Sequence, residues 1–281
     1  MTAAEIKSDI DKHVEVGDVS IHYEYFGKKD RPVIIIFNGV AMETSSWNQF
    51  LPHVVNSLDV LVWDFRGQGK STSDDAEYSI EDFADYLKAI IDDLELKSEQ
   101  TFLVGISSGT IVQSEFMRKY PDRFNKAVMA GVLLSPAKTF QLQNSFAIEI
   151  MKTDVGLWGD SLYCLLLSDT FIAQIEQYIP KLKKALKERY ENRVHALGRI
   201  MEAQNKYIAD VEKYYSEYIK LDKEILLIAG EEDRMTPTFY QKRVLDLFPN
   251  IEYKEYAGVG HMVVMEKPKE FFDDVKSFVL G

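Results

Sequence analysis

Cysteine is nearly absent from this chain of 281 residues. Cys164 is the single example, so no disulfide can form within the chain. Also absent are a run approaching the roughly 20 apolar residues of a membrane-spanning helix and, near the start, the apolar segment of a secretory signal. Basic residues are scarce, because 33 Lys and Arg face 45 Asp and Glu, for a formal net charge of −12. These shortages predict a cytoplasmic protein with no membrane span and no nucleic-acid partner.

Recognisable cofactor and metal motifs are missing too. The sequence has no dinucleotide-binding or P-loop fingerprint and no residue spacing typical of a metal site, so neither a cofactor nor a metal is expected. Cys164 lies in the apolar run YCLLL, which predicts a small buried side chain rather than a nucleophile. The remaining composition is ordinary, with 46% apolar residues, and is sufficient for a sizeable core.

Apolar runs and helical patterns alternate along the chain. Val33–Phe37 (VIIIF) is a β-branched run typical of a strand buried on both faces of a parallel sheet, and the alternating residues 19–26 predict an antiparallel outer strand. Further strands are predicted at residues 60–63, 102–104, 127–134, 225–229 and 251–256. Helices are predicted from Ser79, from Ser108 to Tyr120, from Pro237 to Pro249 and from Pro268. This order predicts an α/β fold with a mainly parallel sheet flanked by helices.

Residues 137–220 break this alternation. They contain no convincing buried strand and predict several helices, with breaks at Gly156, Gly159, Pro180 and Gly198. We call residues 137–220 the insertion and predict that it forms a helical cap or lid. Residues 1–136 and 221–281 would then form the core.

The pentapeptide Gly105-Ile106-Ser107-Ser108-Gly109 follows a predicted buried strand and opens a predicted helix. Such a sharp connection holds its serine in a strained backbone conformation, and the glycines avoid clashes with neighbouring elements. Ser107 Oγ would project above the sheet, beside the free N–H groups of the helix N-terminus. We therefore predict that Ser107 is a nucleophile. The alternative is a Gly- and Ser-rich turn without chemistry.

A serine nucleophile needs a base, and histidine is the usual one. Only His261 lies in a loop after a late predicted strand, preceded by Gly258 and Gly260. The other histidines fall in the N-terminal segment, an outer strand, an early helix and the insertion, at His13, His22, His53 and His195. We therefore predict that His261 is the base.

The base in turn needs a carboxylate that fixes its tautomer. Glu231, Glu232 and Asp233 follow the predicted strand at residues 225–229. The shorter side chain of Asp233 suits a turn position, so we predict Asp233 as the acid. Glu231 and Glu232 are expected to be solvated or to cap a helix.

The developing oxyanion needs hydrogen-bond donors. After the strand VIIIF the chain continues as Asn38-Gly39-Val40-Ala41, and the backbone N–H groups of Val40 and Ser108 are the predicted pair. An ordinary strand-to-loop turn at Asn38-Gly39 is the alternative.

Together these motifs resemble those of the α/β-hydrolase superfamily over nearly the whole chain. Residues 64–71 (DFRGQGKS) look like its D-x-R-G-x-G-x-S segment, residues 229–237 (AGEEDRMTP) like its acid-bearing G-x-x-D-x-x-x-P segment, and Gly260-His261 like its histidine loop. The resemblance implies the α/β-hydrolase fold, with a helical cap inserted after the sixth strand. The spacing of the acid-bearing segment in this family favours Asp233.

Two residues depart from the family pattern. They are Asn38, where most relatives have histidine, and Ser108, where bulkier residues are frequent. Ser108 either leaves room beside the nucleophile or fills the helix start.

The resemblance implies a serine hydrolase that cleaves a small-molecule carboxylic ester, of small or medium acyl length, through an acyl-enzyme. An acyltransferase or thioesterase acting on acyl-carrier-protein or CoA thioesters is the first alternative, motivated by Asn38-Gly39 and the lysine-rich residues 181–193. A solvated helix face would also explain those lysines. A non-catalytic ligand receptor on the same fold is the second alternative.

Overall fold

The computed structural model describes residues 6–281, and they form one eight-stranded sheet. The spatial order is β1-β2-β4-β3-β5-β6-β7-β8. Strands β1, β2 and β4 pair antiparallel, and all the other pairs are parallel. The strands are Ile10–Val16, Val19–Phe26, Val33–Phe37, Asp59–Trp63, Thr101–Ile106, Ala127–Ala130, Ile225–Gly230 and Ile251–Tyr256, numbered β1 to β8. The predicted fold class is therefore confirmed.

Helices connect the strands. They are Ile80–Asp93, Gly109–Lys119, Lys138–Thr153, Val155–Leu166, Asp169–Ile175, Ile179–Tyr190, Val194–Ala209, Tyr215–Tyr218, Thr238–Gln241, Val263–Glu266 and Pro268–Leu280, numbered α1 to α11. The start of α1 follows the sequence pattern, since the Ser79 side chain accepts a hydrogen bond from Asp82 N–H. All six helices from α3 to α8 lie between β6 and β7, within the insertion.

Apolar side chains cover both faces of the sheet. On one face, Ile35 and Leu103 belong to a buried cluster that α1, α2 and helices of the insertion complete. On the other face, Ile34 and Val104 belong to a second cluster that includes residues of α11. Neighbouring residues thus serve opposite faces, as expected for strands buried on both sides. Within residues 6–281, no helix is long and apolar enough to cross a membrane.

A buried polar network attaches the insertion to α2. The Glu115 carboxylate is fully buried and accepts hydrogen bonds from Arg118 Nη2 at 2.6 Å and from the Tyr207 hydroxyl at 2.9 Å. Tyr207 lies on α7, and its hydroxyl is 2.7 Å from that of Tyr218 on α8. Because breaking a buried charge pair is costly, the network fixes the end of the insertion against the helix that follows Ser107.

Three local predictions were wrong. The Cys164 side chain is exposed rather than buried, because it does not continue the three- and four-residue spacing of Val155, Trp158 and Gly159, the buried residues of α4. The strand predicted at residues 127–134 ends at Ala130, since Gly131 adopts a φ of +67° that leaves the strand conformation. The helix predicted from Pro237 to Pro249 is only α9 followed by a 3₁₀ turn, Lys242–Asp246.

Candidate active site

Ser107 lies at the sharp turn between β5 and α2. Its φ of +53° is strained for a residue with a Cβ atom, and its N–H donates to Ala130 O at 2.7 Å. Backbone atoms exclude a side chain at Gly109, and the buried Gln113 side chain fills the space beside Gly105. A Cβ atom at Gly109 would lie 2.2 Å from Phe37 O, and one at Gly105 would lie 2.0 Å from Gln113 Oε1. The turn therefore brings α2 against β3 and leaves the Ser107 side chain half-buried at the strand ends.

The structure brings the three predicted catalytic side chains together. His261 Nε2 is 2.7 Å from Ser107 Oγ, and His261 Nδ1 is 2.8 Å from Asp233 Oδ2. The side chains of His261 and Asp233 are fully buried. The carboxylate accepts a hydrogen bond from Nδ1–H, so Nε2 is left to accept the proton of the serine hydroxyl. This is the arrangement that a general base requires.

A set of donors fixes the Asp233 carboxylate. Oδ1 accepts from the N–H groups of Met235 at 2.9 Å and Thr236 at 2.8 Å. Oδ2 accepts from the Thr236 hydroxyl at 3.0 Å and from Gln241 Nε2 at 2.9 Å, in addition to His261. The carboxylate is therefore held in one orientation. Sequence reasoning missed Gln241, which lies eight residues beyond Asp233 on α9.

The two competing acids point elsewhere. Glu231 is exposed and accepts from Gly258 N–H at 2.9 Å. The Glu232 side chain lies near Asp169 and Arg234. Neither carboxylate makes a hydrogen bond to His261, whereas the Asp233 carboxylate does.

Three glycines let the histidine loop lie close to the sheet. A Cβ atom at Gly131 would lie 2.6 Å from His261 Cε1, and one at Gly230 would lie 2.0 Å from Gly260 O. A Cβ atom at Gly260 would lie 2.7 Å from the N atom of Ser168 in the insertion. The sequence analysis missed Gly131, although it directly follows the strand next to the nucleophile strand.

The predicted oxyanion donors lie beside the nucleophile. Val40 N–H points at Ser108 Oγ, with an N to O distance of 2.7 Å. Ser108 N–H makes no hydrogen bond within residues 6–281. Asn38 is fully buried and structural, since its Nδ2 donates to Trp63 O at 2.5 Å and its Oδ1 accepts from Trp47 Nε1 at 2.7 Å. Asn38 therefore holds the loop that carries Val40.

A family model described as "Alpha/beta hydrolase family" matches residues 34–274, which is most of the chain and includes all of these residues. The chain belongs to the alpha/beta hydrolase family. It is therefore an α/β-hydrolase enzyme, as the sequence analysis predicted.

Individual relatives support this α/β-hydrolase assignment. The chain is 25% identical over 225 residues to 3-oxoadipate enol-lactonase 2 of Acinetobacter baylyi, covering 78% of each protein. It is also similar to MGS-M2, an alpha/beta hydrolase enzyme from a deep-sea metagenome library, with 25% identity, a TM-score of 0.88 and 96% and 98% of the two chains covered. A thermophilic esterase from Thermogutta terrifontis shares the fold, with 17% identity, a TM-score of 0.80 and 96% and 97% coverage.

The insertion of this α/β hydrolase contacts the loops that carry His261 and Asp233. Glu266 accepts from Gly260 N–H at 3.1 Å, from Ser168 N–H at 2.9 Å and from the Ser168 hydroxyl at 2.5 Å. Arg234, next to the acid, donates from Nη1 to the carbonyl oxygens of Cys164 at 3.2 Å and Leu167 at 3.1 Å. The sequence analysis missed these residues, because their partners in the insertion are 67 to 98 positions away along the chain.

A second buried histidine supports the loop at residues 64–71. His22 Nδ1 is 2.7 Å from Asp64 Oδ2, and His22 Nε2 is 2.8 Å from Asp11 Oδ1. Asp64 also accepts from the N–H groups of Thr44 at 2.7 Å and Lys70 at 2.9 Å. Burial by itself lowers the pKa of His22, but the hydrogen bonds to Asp64 and Asp11 outweigh burial and raise it.

The outer end of the same cluster has the ligand types of a metal site. One ligand atom each from Asp11, His22 and Glu24 lies within 4.8 Å of the others. The Lys70 ammonium lies among them, 3.1 Å from Asp11 Oδ2, 3.3 Å from His22 Nε2 and 3.5 Å from Glu24 Oε1. A lysine therefore already supplies the positive charge that these groups attract.

Proposed function

We propose that the protein is a serine hydrolase that cleaves a carboxylic ester through an acyl-enzyme. Ser107 is the nucleophile, His261 the base and Asp233 the residue that orients the base. The observation that carries this proposal is the continuous hydrogen-bond chain from Ser107 Oγ through the imidazole to Asp233 Oδ2, with distances of 2.7 and 2.8 Å.

The geometry supports a two-step reaction. Ser107 Oγ attacks the acyl carbon while its proton moves to His261 Nε2, and the buried Asp233 carboxylate stabilises the imidazolium. Ser108 N–H donates to the oxyanion, and Val40 N–H contributes to the same site through its hydrogen bond to Ser108 Oγ. His261 then gives its proton to the leaving alcohol. In the second step His261 activates a water molecule, which releases the acid and restores the Ser107 hydroxyl.

The proposed substrate is an ester with a small or medium acyl group. One relative is named an enol-lactonase, and a lactone is an internal ester that the same three side chains can open. A solved neighbour of the same fold is named an esterase. These names support the ester class without selecting the acyl group.

The test uses p-nitrophenyl acetate and butyrate with the purified protein. Ser107→Ala and His261→Ala should each lower kcat on the order of 10⁴-fold or more, because the three residues act as a unit. A fluorophosphonate should add to Ser107 in the wild type and not in Ser107→Ala, as seen by intact mass.

Ser145→Ala is the matched control, because Ser145 is exposed on α3 and, among the residues that the structure describes, its hydroxyl bonds only to Gln141 O in the same helix. This variant should keep wild-type kcat. Full activity in His261→Ala would refute the assignment of the base. A wild type that neither hydrolyses esters nor takes up fluorophosphonate would favour the non-catalytic receptor.

Acyl transfer from a carrier-protein thioester is the second candidate. The observation that favours it is the exposed positive face of α6, with Lys181, Lys184 and Lys187, on a chain of net charge −12. Part of this charge is already balanced, since Lys183 pairs with Asp160 at 2.6 Å and Lys184 with Glu188 at 3.7 Å. Failure to consume any acyl-carrier-protein or CoA thioester would remove this candidate.

A further inference from the structure

The Ser108 side chain lies where serine normally caps a helix. Serine just before the first helical residue usually accepts a hydrogen bond from an N–H group of the first turn. Ser108 makes no such bond to α2. Filling the helix start therefore does not account for this hydroxyl.

The hydroxyl instead accepts a hydrogen bond from the loop that carries Val40. Val40 N–H donates to Ser108 Oγ at 2.7 Å, and this is the one hydrogen bond that Ser108 Oγ makes within residues 6–281. A hydroxyl that accepts one bond still carries its own proton for donation. Ser108 is only 7% exposed, so bulk water has little access to that proton.

The other groups beside Ser107 offer few free donors. Ser107 N–H already donates to Ala130 O and cannot serve an oxyanion. A Cβ atom at Gly39 would lie 3.6 Å from Ser107 Cβ, so the loop that carries Val40 lies directly beside the nucleophile. The donors left on this side are the N–H and O–H groups of Ser108, with Val40 N–H behind the hydroxyl.

We propose that the Ser108 hydroxyl donates directly to the oxyanion of the tetrahedral intermediate, and that Val40 N–H polarises it. This inference rests on the proposed function. When the bond from Ser107 Oγ to the acyl carbon forms, the serine proton moves to His261 Nε2 and the carbonyl electron pair moves to oxygen. That oxygen accepts from Ser108 N–H and Ser108 O–H, and the Ser108 proton is not transferred.

The polarised hydroxyl is a strong donor for physical reasons. A hydrogen bond from O–H to a charged oxygen is shorter and about twice as strong as a neutral one. A hydroxyl that accepts while it donates is further polarised, so the Val40 bond strengthens the bond to the oxyanion. Because the ground-state carbonyl oxygen carries less charge, this gain appears mainly in the transition state.

The experiment compares Ser108→Ala with the wild type on p-nitrophenyl acetate and with a trifluoromethyl ketone, whose adduct on Ser107 carries an oxyanion. We expect kcat to fall about 100-fold, as for the loss of one oxyanion donor. The ketone should bind more weakly in proportion, with KM almost unchanged. Ser114→Ala is the matched control, because this buried hydroxyl on α2 bonds to Thr110 O and should leave all three quantities unchanged.

Ser108→Cys gives the same comparison if the alanine variant does not fold, because it keeps the size but has only a weak S–H donor. Its kcat should fall too. Unchanged or higher kcat in either variant would overturn the proposal and would mean that the hydroxyl merely blocks Val40 N–H. Absence of any esterase activity or Ser107 labelling in the wild type would instead remove the proposed function on which the inference rests.

Discussion

The Asp233 carboxylate is surrounded by hydrogen-bond donors, and these donors determine how an asparagine at position 233 would affect catalysis. An asparagine would have to turn its NH₂ group either toward His261 Nδ1 and Gln241 Nε2, which share Oδ2, or toward the N–H groups of Met235 and Thr236, which donate to Oδ1. If it faces His261, Nδ1 must become an acceptor, and the proton moves to Nε2 where it blocks the serine. Asp233→Asn should therefore lower kcat about 10⁴-fold, as tautomer loss does in other triads.

The measurement is kcat on p-nitrophenyl butyrate for Asp233→Asn, with Glu232→Gln as the neighbouring control. Glu232 makes no hydrogen bond to His261, so this control should keep wild-type kcat. Equal losses in the two variants would mean that charge near the loop matters, rather than the hydrogen bond to Nδ1.

At the scale of elements, the link between α10 and the insertion should affect catalysis. Glu266, the last residue of α10, joins Ser168 to Gly260, the neighbour of His261. Without this carboxylate the His261 loop loses a charged hydrogen bond, which is typically worth about 1.5–3 kcal/mol. Glu266→Ala should therefore lower kcat about tenfold, if part of that energy positions the imidazole.

The test measures kcat and the proton NMR spectrum of Glu266→Ala. The low-field proton NMR signal of His261 Nδ1–H should broaden or shift in Glu266→Ala, which a change in stability alone would not produce. Glu270→Gln, an exposed site on α11, should leave the signal and kcat unchanged. Normal kcat with only a lower melting temperature in Glu266→Ala would show that the link is purely structural.

Elements buried on both faces were predictable, and edge elements were not. The strands β3 and β5 are continuous apolar runs, so their pattern can be recognised without the fold. β1 was missed, because Asp11, Lys12 and His13 are exposed at the sheet edge and carry no apolar signal. Ser107, Asp233 and His261 could be predicted from their strand ends, whereas Glu266 and Ser168 meet only through tertiary packing. The division into core and insertion stays a prediction.

At the scale of the whole molecule, His22 joins three parts of the chain. Its ring lies on β2, with Asp11 of β1 on one side and Asp64 of the loop after β4 on the other. Asp64 also accepts a hydrogen bond from Thr44 N–H, near the loop that carries Val40. Because the pKa of His22 is raised in the folded protein, protonation of this ring and global stability are linked.

The sign of that linkage follows from the direction of the shift. The folded state holds the His22 proton more tightly than the unfolded chain, whose histidine pKa is about 6.5. The stabilisation is therefore complete below that pH and is lost as the pH rises through the raised folded-state pKa.

His22→Ala should lower the free energy of unfolding by about 3 kcal/mol at low pH, because it leaves the buried Asp64 without its main charged partner. Urea unfolding of the wild type and His22→Ala from pH 5.5 to 8.5 measures this difference, which should shrink as the pH rises. His13→Gln is the control, since His13 is exposed on β1 with its ring 5.1 Å from that of His22. A difference that stays constant or grows with pH would show that His22 stabilises the protein as a neutral ring.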